Sequence, residues 1–196
     1  MKQPDIHRLL ELQKLLLQFS QVERVIDREH IAGFVRENDS EHSYNLALTA
    51  WFLAGHFPEL DRDEVIRIAL AHDLVEVHAG DTFVYGPQEH LDTKQAREQA
   101  ALKQLADEWK DFPDAIKAIR AYKAKSSAEA KFVYALDKVM PILIIYLGEG
   151  HTWKKENITL EQLKGLKKEQ VAISPEIRPY YEQLIVLLTD QPELFT

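Results

Sequence analysis

The stretch Ala69-Leu-Ala-His-Asp-Leu-Val-Glu-Val-His-Ala-Gly-Asp81 begins as core and ends as acid. Read as a helix, it puts His72 and Glu76 one turn apart on a shared face, with Asp73 about 100° around the axis. Gly80 ends the helix, because glycine enters positive φ at little cost. Asp81 follows at the mouth of a loop. Ionisable side chains avoid a core unless they are paired or bind metal. Either this helix end lines a metal cleft, or its acids face solvent and His72 is a hydrogen-bonded core histidine.

Outward from that stretch, the apolar spacing is helical. A first helix is expected from Asp5 to Val22, with Ile6, Leu9, Leu10, Leu12, Leu16, Leu17 and Phe19 recurring at its period. Val25 to Asn38 has no period and reads as loop; it holds Arg28, His30 and Arg36. Asn38 and Glu41 form a capping box for a helix from Asp39 to Gly55. Its inward face is expected to be Tyr44, Ala47 or Leu48, Trp51 and Ala54, with Leu46 and Leu53 extending it from His42. Asp61 opens the helix holding the first stretch, Asp63 to Val77. Further helices are expected over 91–110, 113–123, 126–147, 160–173 and 176–188. Asp137 falls in the apolar middle of the third of these, and Gly148-Glu-Gly-His-Thr-Trp153 reads as a loop, either a flap, a dimer contact or the seat of a core tryptophan. No segment alternates as a strand would. The expected fold is all-α, a single helical domain over 1–196.

The chain's 196 residues can bury roughly 70% of their unfolded surface. A net charge of −8 disfavours long nucleic acid, whose affinity comes mainly from phosphate neutralisation. With no cysteine, a metal site must use imidazole and carboxylate. The longest apolar run, Val139-Met-Pro-Ile-Leu-Ile-Ile-Tyr-Leu147, is far short of the ~20 residues that span a bilayer. The N-terminus lacks a signal peptide's apolar region, so a cytoplasmic address is expected. A homodimer is the default assembly.

Set together, His42, His72, Asp73 and Asp137 offer two imidazoles and two carboxylates, a donor set suited to one divalent first-row ion or Mg²⁺. Such an ion lowers the pKa of a water and supplies hydroxide as a nucleophile. Glu76 and Asp81 stand beside the ligands in sequence and can take or give a proton. Each residue also has a plainer reading alone: His42 as a cap or core histidine, Asp137 as a buried acid paired with Lys or Arg. His78 and His90 are candidates for a second metal. His7, His30 and His56 read as surface residues.

The order His42, His72-Asp73, Asp137 resembles the HD superfamily of metal-dependent phosphohydrolases. Glu41-His42-Ser43, Ala71-His72-Asp73-Leu74-Val75-Glu76, Gly80-Asp81 and Asp137-Lys138 resemble the branch that includes bacterial 5′-deoxynucleotidases. The resemblance implies an all-helical fold and one divalent metal on His42, His72, Asp73 and Asp137. It implies that Glu76 handles the attacking water or the leaving-group proton, and that Asp81 orients the leaving oxygen or sugar. It also implies an arginine upstream of the first histidine that clamps phosphate: Arg24, with Arg36 the alternative. The expected reaction is hydrolysis of a small phosphomonoester, first of all a nucleoside 5′-monophosphate. A pyrophosphohydrolase, a phosphodiesterase and a non-catalytic metal-binding module are the alternatives. After Asp81 the branch continues with a Thr-Pro-Val-Lys type segment where this chain has Thr82-Phe-Val-Tyr-Gly-Pro87, which leaves the metal chemistry intact and opens the nucleotide preference. The residues near the motifs, Glu37, Asp39, Glu41 and Glu89 among them, are acids rather than the lysines and arginines a triphosphate would need.

Overall fold

The computed structural model describes residues 3–27 and 36–196. The chain is mainly helical, as its periodicity predicts. Helix α1 (Ile6–Phe19) starts at Asp5, whose carboxylate accepts from the Arg8 N–H at 3.0 Å. Two short strands follow, β1 (Glu23–Asp27) and β2 (Arg36–Asn38), paired antiparallel with Glu23 opposite Asn38 and Asp27 opposite Arg36. This sheet corrects the loop expected there. The strands are too short to show alternation, and β1 buries only Ile26 fully. The expected loop residues 28–35, with the surface assignment of His30, lie outside the described residues.

Helix α2 (Asp39–Ala54) carries the expected capping box at Asn38 and Glu41. Its inward face is the expected one only in part: Ala47, Ala54, Leu46 and His42 are buried, and Tyr44 and Trp51 are not. Tyr44, Leu48 and Trp51 are exposed, while His42, Leu46 and Ala50 are fully buried, flanked by Ser43, Ala47 and Ala54. The reason is size. Alanines at 47, 50 and 54 are buried, as are alanines at 69 and 71 on α3 (Arg62–Ala71), which packs on α2, while the bulky side chains are turned out. Helix α1 likewise buries only Leu15 and Phe19 fully of its apolar stripe.

The remaining elements are α4 (Glu76–Ala79), α5 (Gln88–Glu108), α6 (Pro113–Ala124), α7 (Ala128–Leu147), α8 (His151–Lys155), α9 (Leu160–Val171) and α10 (Arg178–Thr189). Helix α3 packs on α2, α6 and α7, and α9 covers the far side of α7. Ser127 caps α7 by accepting from the Ala130 N–H at 3.1 Å. No helix among the described residues is long and apolar enough to cross a membrane.

The segment after α7 is a short helix seated in the core, which favours the core-tryptophan reading over a flap. Trp153 is 1% exposed and stacks on Phe195 with ring centroids 4.6 Å apart. The Thr152 hydroxyl accepts from the Asp27 N–H at 3.0 Å, tying α8 to β1. Gly150 makes the turn at φ +72°, and a Cβ there would overlap the Leu194 carbonyl. Gly150→Ala is therefore expected to destabilise the fold by about 2 kcal/mol or more, from positive φ plus overlap. A thermal or urea melt checks this, and an unchanged midpoint would contradict it.

Candidate metal centre

Helix α3 does not run on to Val77 as its apolar pattern suggests. It stops at Ala71, and the chain turns through His72–Val75 with tighter i→i+3 bonds: Leu74 N–H to Ala71 O at 3.1 Å and Glu76 N–H to Asp73 O at 2.8 Å. Past this break in the helix, Asp73 Oδ2 lies 3.0 Å from His72 Nε2. Gly80 then leaves α4 at φ 70° and ψ 152°, a region essentially restricted to glycine. The break is what lets neighbours in sequence converge on one point.

Four donor atoms, one each from His42, His72, Asp73 and Asp137, lie within 4.8 Å of one another. His42 Nε2 is 2.9 Å from Asp137 Oδ1, and His72 Nε2 is 3.0 Å from Asp73 Oδ2 and 3.8 Å from Asp137 Oδ1. The second oxygen of Asp137 is already engaged. It accepts from the Tyr122 hydroxyl at 2.6 Å and from the Lys138 ammonium.

The hydrogen bonds around the histidines fit a cation. His72 Nδ1–H donates to the Ala69 carbonyl at 2.8 Å, so in the neutral ring Nε2 carries a lone pair. That atom is buried, has no hydrogen-bond partner, and faces two carboxylates. Lone pair against carboxylate is repulsive unless a positive charge stands between them. Burial opposes charge on His72, yet Asp73 and Asp137 overcome it and push the imidazole up to about 9. On the other ring, His42 Nδ1 points at Glu37 Oε2, 3.5 Å away. A carboxylate behind a metal-binding imidazole is the usual means of fixing its tautomer. Glu37 is fully buried, and its role was not legible because strand β2, which carries it, was not expected.

A second group, Asp39, Asp73 and Glu76, abuts the first and shares Asp73. Arg24 reaches into it from β1. Its Nη1 lies 3.0 Å from Asp73 Oδ2 and 3.3 Å from Asp39 Oδ1, and its Nε 3.4 Å from Glu37 Oε2. Arg36, the alternative clamp, is half-exposed and sits 3.7 Å from Asp27, away from the cleft. Burial pushes the Glu76 carboxyl well above the usual range, and the nearby charges of Asp73, Asp39 and Asp81 push it further. Burial likewise raises Asp39 to about 6, partly offset by Arg24 and by a hydrogen bond with Glu76. Asp81 is half-buried at the mouth and raised by burial, with Arg24 opposing.

Arg24, His72, Asp73, Glu76, Asp81 and Asp137 form the floor of a cleft of about 940 Å³. Its other walls hold what the sequence did not suggest: Lys94, Arg120, Lys123, Lys138 and Lys167, with Tyr122 and Tyr134. They come from α5, α6, α7 and α9, and all but Lys138, the neighbour of Asp137, lie away from the motifs in sequence. The expectation that the site lacks a row of lysines and arginines is therefore corrected. Phe83 and Tyr85, from the segment that departs from the branch, also line the cleft. His78 lies 3.2 Å from Glu108 and His90 is exposed; neither joins a metal-type group among the described residues, and His7 and His56 are exposed.

Residues 23–178 match the HD domain. The chain is 33% identical over 138 residues to the 5′-deoxynucleotidase HDDC2 of Bos taurus, and 32% identical over 138 residues to that of Homo sapiens. Each of those matches covers 65% of this chain and 65% of the relative's length. A solved structure described as a predicted metal-dependent phosphohydrolase from Magnetospirillum magnetotacticum superposes with a TM-score of 0.77 at 26% identity, over 96% of both chains.

The charge on His72 gives a stability signature. Its folded pKa lies above the ordinary 6.5, at about 9. With the site stripped of cations, the proton on His72 contributes stability in full below pH 6.5, and that contribution is lost as pH rises through about 9. A divalent cation takes over the same compensation. Chelated protein is expected to melt progressively lower across this window, and protein with saturating divalent ion to lose less. Parallel melting curves with and without the ion across the window would contradict this.

Proposed function

The chain belongs to the HD-domain family, and from that premise we propose that it is a divalent-metal-dependent phosphohydrolase acting on small phosphomonoesters, first among them nucleoside 5′-monophosphates. The observation that carries the reading is the convergence of four imidazole and carboxylate donors on one point of a large cleft, beside the buried Glu76. Bonds of about 2.0–2.2 Å to one ion place ligands up to ~4.4 Å apart, so the group needs only a small contraction. His42, His72, Asp73 and Asp137 would hold the ion, whose identity is open. Bound there, it would supply positive charge for the phosphoryl oxygens and an activated water.

The other roles follow from position and charge. Arg24 would take phosphoryl oxygens while Asp73, Asp39 and Glu37 hold its guanidinium in place. Burial and the charges of Asp73, Asp39 and Asp81 raise the Glu76 carboxyl well above the usual range, which favours the protonated form that would hand a proton to the departing oxygen. Asp81, at the mouth, would orient the leaving alcohol. The relatives' name, 5′-deoxynucleotidase, supports a nucleotide, and Phe83 and Tyr85 offer aromatic faces for a base. Removing the Glu76 proton source is the sharpest check of its role. Glu76→Gln is expected to retain the metal and lose about 10²–10⁴-fold in kcat. Near-normal turnover at full metal occupancy would reassign it.

A second reading has one observation in its favour. The lysines of the cleft walls could neutralise more than one phosphate, which suits a nucleotide pyrophosphohydrolase. Lys123 and Lys94 already share Glu98, so much of that charge is committed. Comparing kcat/KM for AMP, dAMP, ADP, ATP and a non-nucleotide phosphomonoester separates the two. Monophosphates are expected to lead. Triphosphates preferred by more than about tenfold would transfer the assignment to the pyrophosphohydrolase. A metal-loaded protein that releases phosphate from none of them would leave a non-catalytic module.

A further inference from the structure

Lys167 is the residue of the cleft that neither the packing nor the other charges account for. It lies on α9 between Leu163 and Val171, at i+4 and i−4, on the apolar stripe that packs α9 against α7. Leu163 and Val171 are fully buried, and Lys167 is 6% exposed. Its ammonium has no hydrogen bond or ion pair among the described residues, while the other lysines with comparable access to the cleft have partners. Lys123 and Lys94 hold Glu98, Lys138 holds Asp137, and Lys125 lies over the Tyr134 ring at 4.3 Å. Lys167 lines the same cleft as His72, Asp73 and Asp137.

A buried, unpaired charge is costly, and an apolar residue of similar size would pack this stripe better. The cost is visible in the ammonium itself. Burial pushes it down to about 7, Lys138 repels it further, and Asp137 only partly compensates. What restores full charge is an anion arriving in the cleft. The floor already matches Arg24 against Glu37, Asp39 and Asp73, so the guanidinium is shared before any ligand arrives. A dianionic phosphoryl group entering this acidic floor needs a cation that no carboxylate has claimed.

We propose that Lys167 is a substrate-binding residue that receives an oxygen of the phosphoryl group, in the cleft that Arg24 also lines. This deepens the function proposed above and rests on its phosphorylated substrate. The ammonium donates to a phosphoryl oxygen, exchanging an unpaired state for a charge-assisted hydrogen bond. The residue thus trades stability of the free protein for recognition of the ligand.

The test is calorimetric titration of metal-loaded protein with inorganic phosphate and, separately, with adenosine, for the wild type, Lys167→Met and Lys167→Gln. Both substitutions are expected to weaken phosphate by about tenfold or more, the usual size for a lost charged hydrogen bond. Metal content and adenosine affinity should not change, and ligand-free Lys167→Met should melt at or above the wild-type temperature. If Lys167→Met fails to fold, Lys167→Gln carries the comparison. Phosphate affinity unchanged in a folded variant, or no measurable phosphate binding by the wild type, overturns the assignment. Wild-type protein that binds phosphate through Lys167 yet hydrolyses no ester would uphold this inference and defeat the phosphohydrolase reading.

Discussion

The contact between His42 Nε2 and Asp137 Oδ1, 2.9 Å long and fully buried, joins residues 95 apart in the chain. It sets the distance between α2 and α7, and α3 is wedged against both. Asp137 can occupy the apolar middle of α7 only because each of its oxygens has partners: His42 on one, Tyr122 and Lys138 on the other. A buried carboxylate without them would cost several kcal/mol. The His72–Val75 turn meets the same anchor through His72, whose Nε2 lies 3.8 Å from Asp137 Oδ1.

From this follows an accumulation of acid in one place. Glu37, Asp39, Asp73, Glu76, Asp81 and Asp137 all approach the floor of the cleft, with Arg24 and Lys138 as the nearest permanent cations. The chain meets the repulsion in two ways. Protons are retained on Glu76 and His72, whose pKa values are both raised. The remainder is the compensation that a divalent ion would provide, and the orientation of the histidine nitrogens suits one. The proposed chemistry uses both devices, a retained proton for the leaving oxygen and a bound charge for the phosphoryl group.

Much of the site was legible in the sequence because its signals are local. His72-Asp73, Glu76 and Gly80-Asp81 fall within ten residues, and Asp137 stands out as a lone acid in an apolar helix. The Asn38–Glu41 capping box fixed where His42 begins its helix. What was not legible depends on tertiary packing. The inward face of α2 is formed by His42, Leu46 and small residues such as Ala47, Ala50 and Ala54, not by its largest hydrophobic side chains. Strands β1 and β2 are too short to alternate, so Arg24 could be named but not placed, and Glu37 was counted only as a nearby acid. The lysine-bearing walls come from helices whose charges look like solvated faces when read alone. Lys167 did leave a signal, a lysine at the centre of the Leu163–Val171 spacing, which is where an apolar residue belongs.

The most direct measurement of the central claim is anomalous diffraction from crystals grown with Mn²⁺, recorded above and below the manganese edge. The account requires one strong peak within bonding distance, about 2.0–2.3 Å, of His42 Nε2, His72 Nε2, Asp73 and Asp137. A peak at His78 or at the Asp39–Glu76 carboxylates alone would contradict it. So would fully Mn²⁺-soaked crystals with no peak among the four residues.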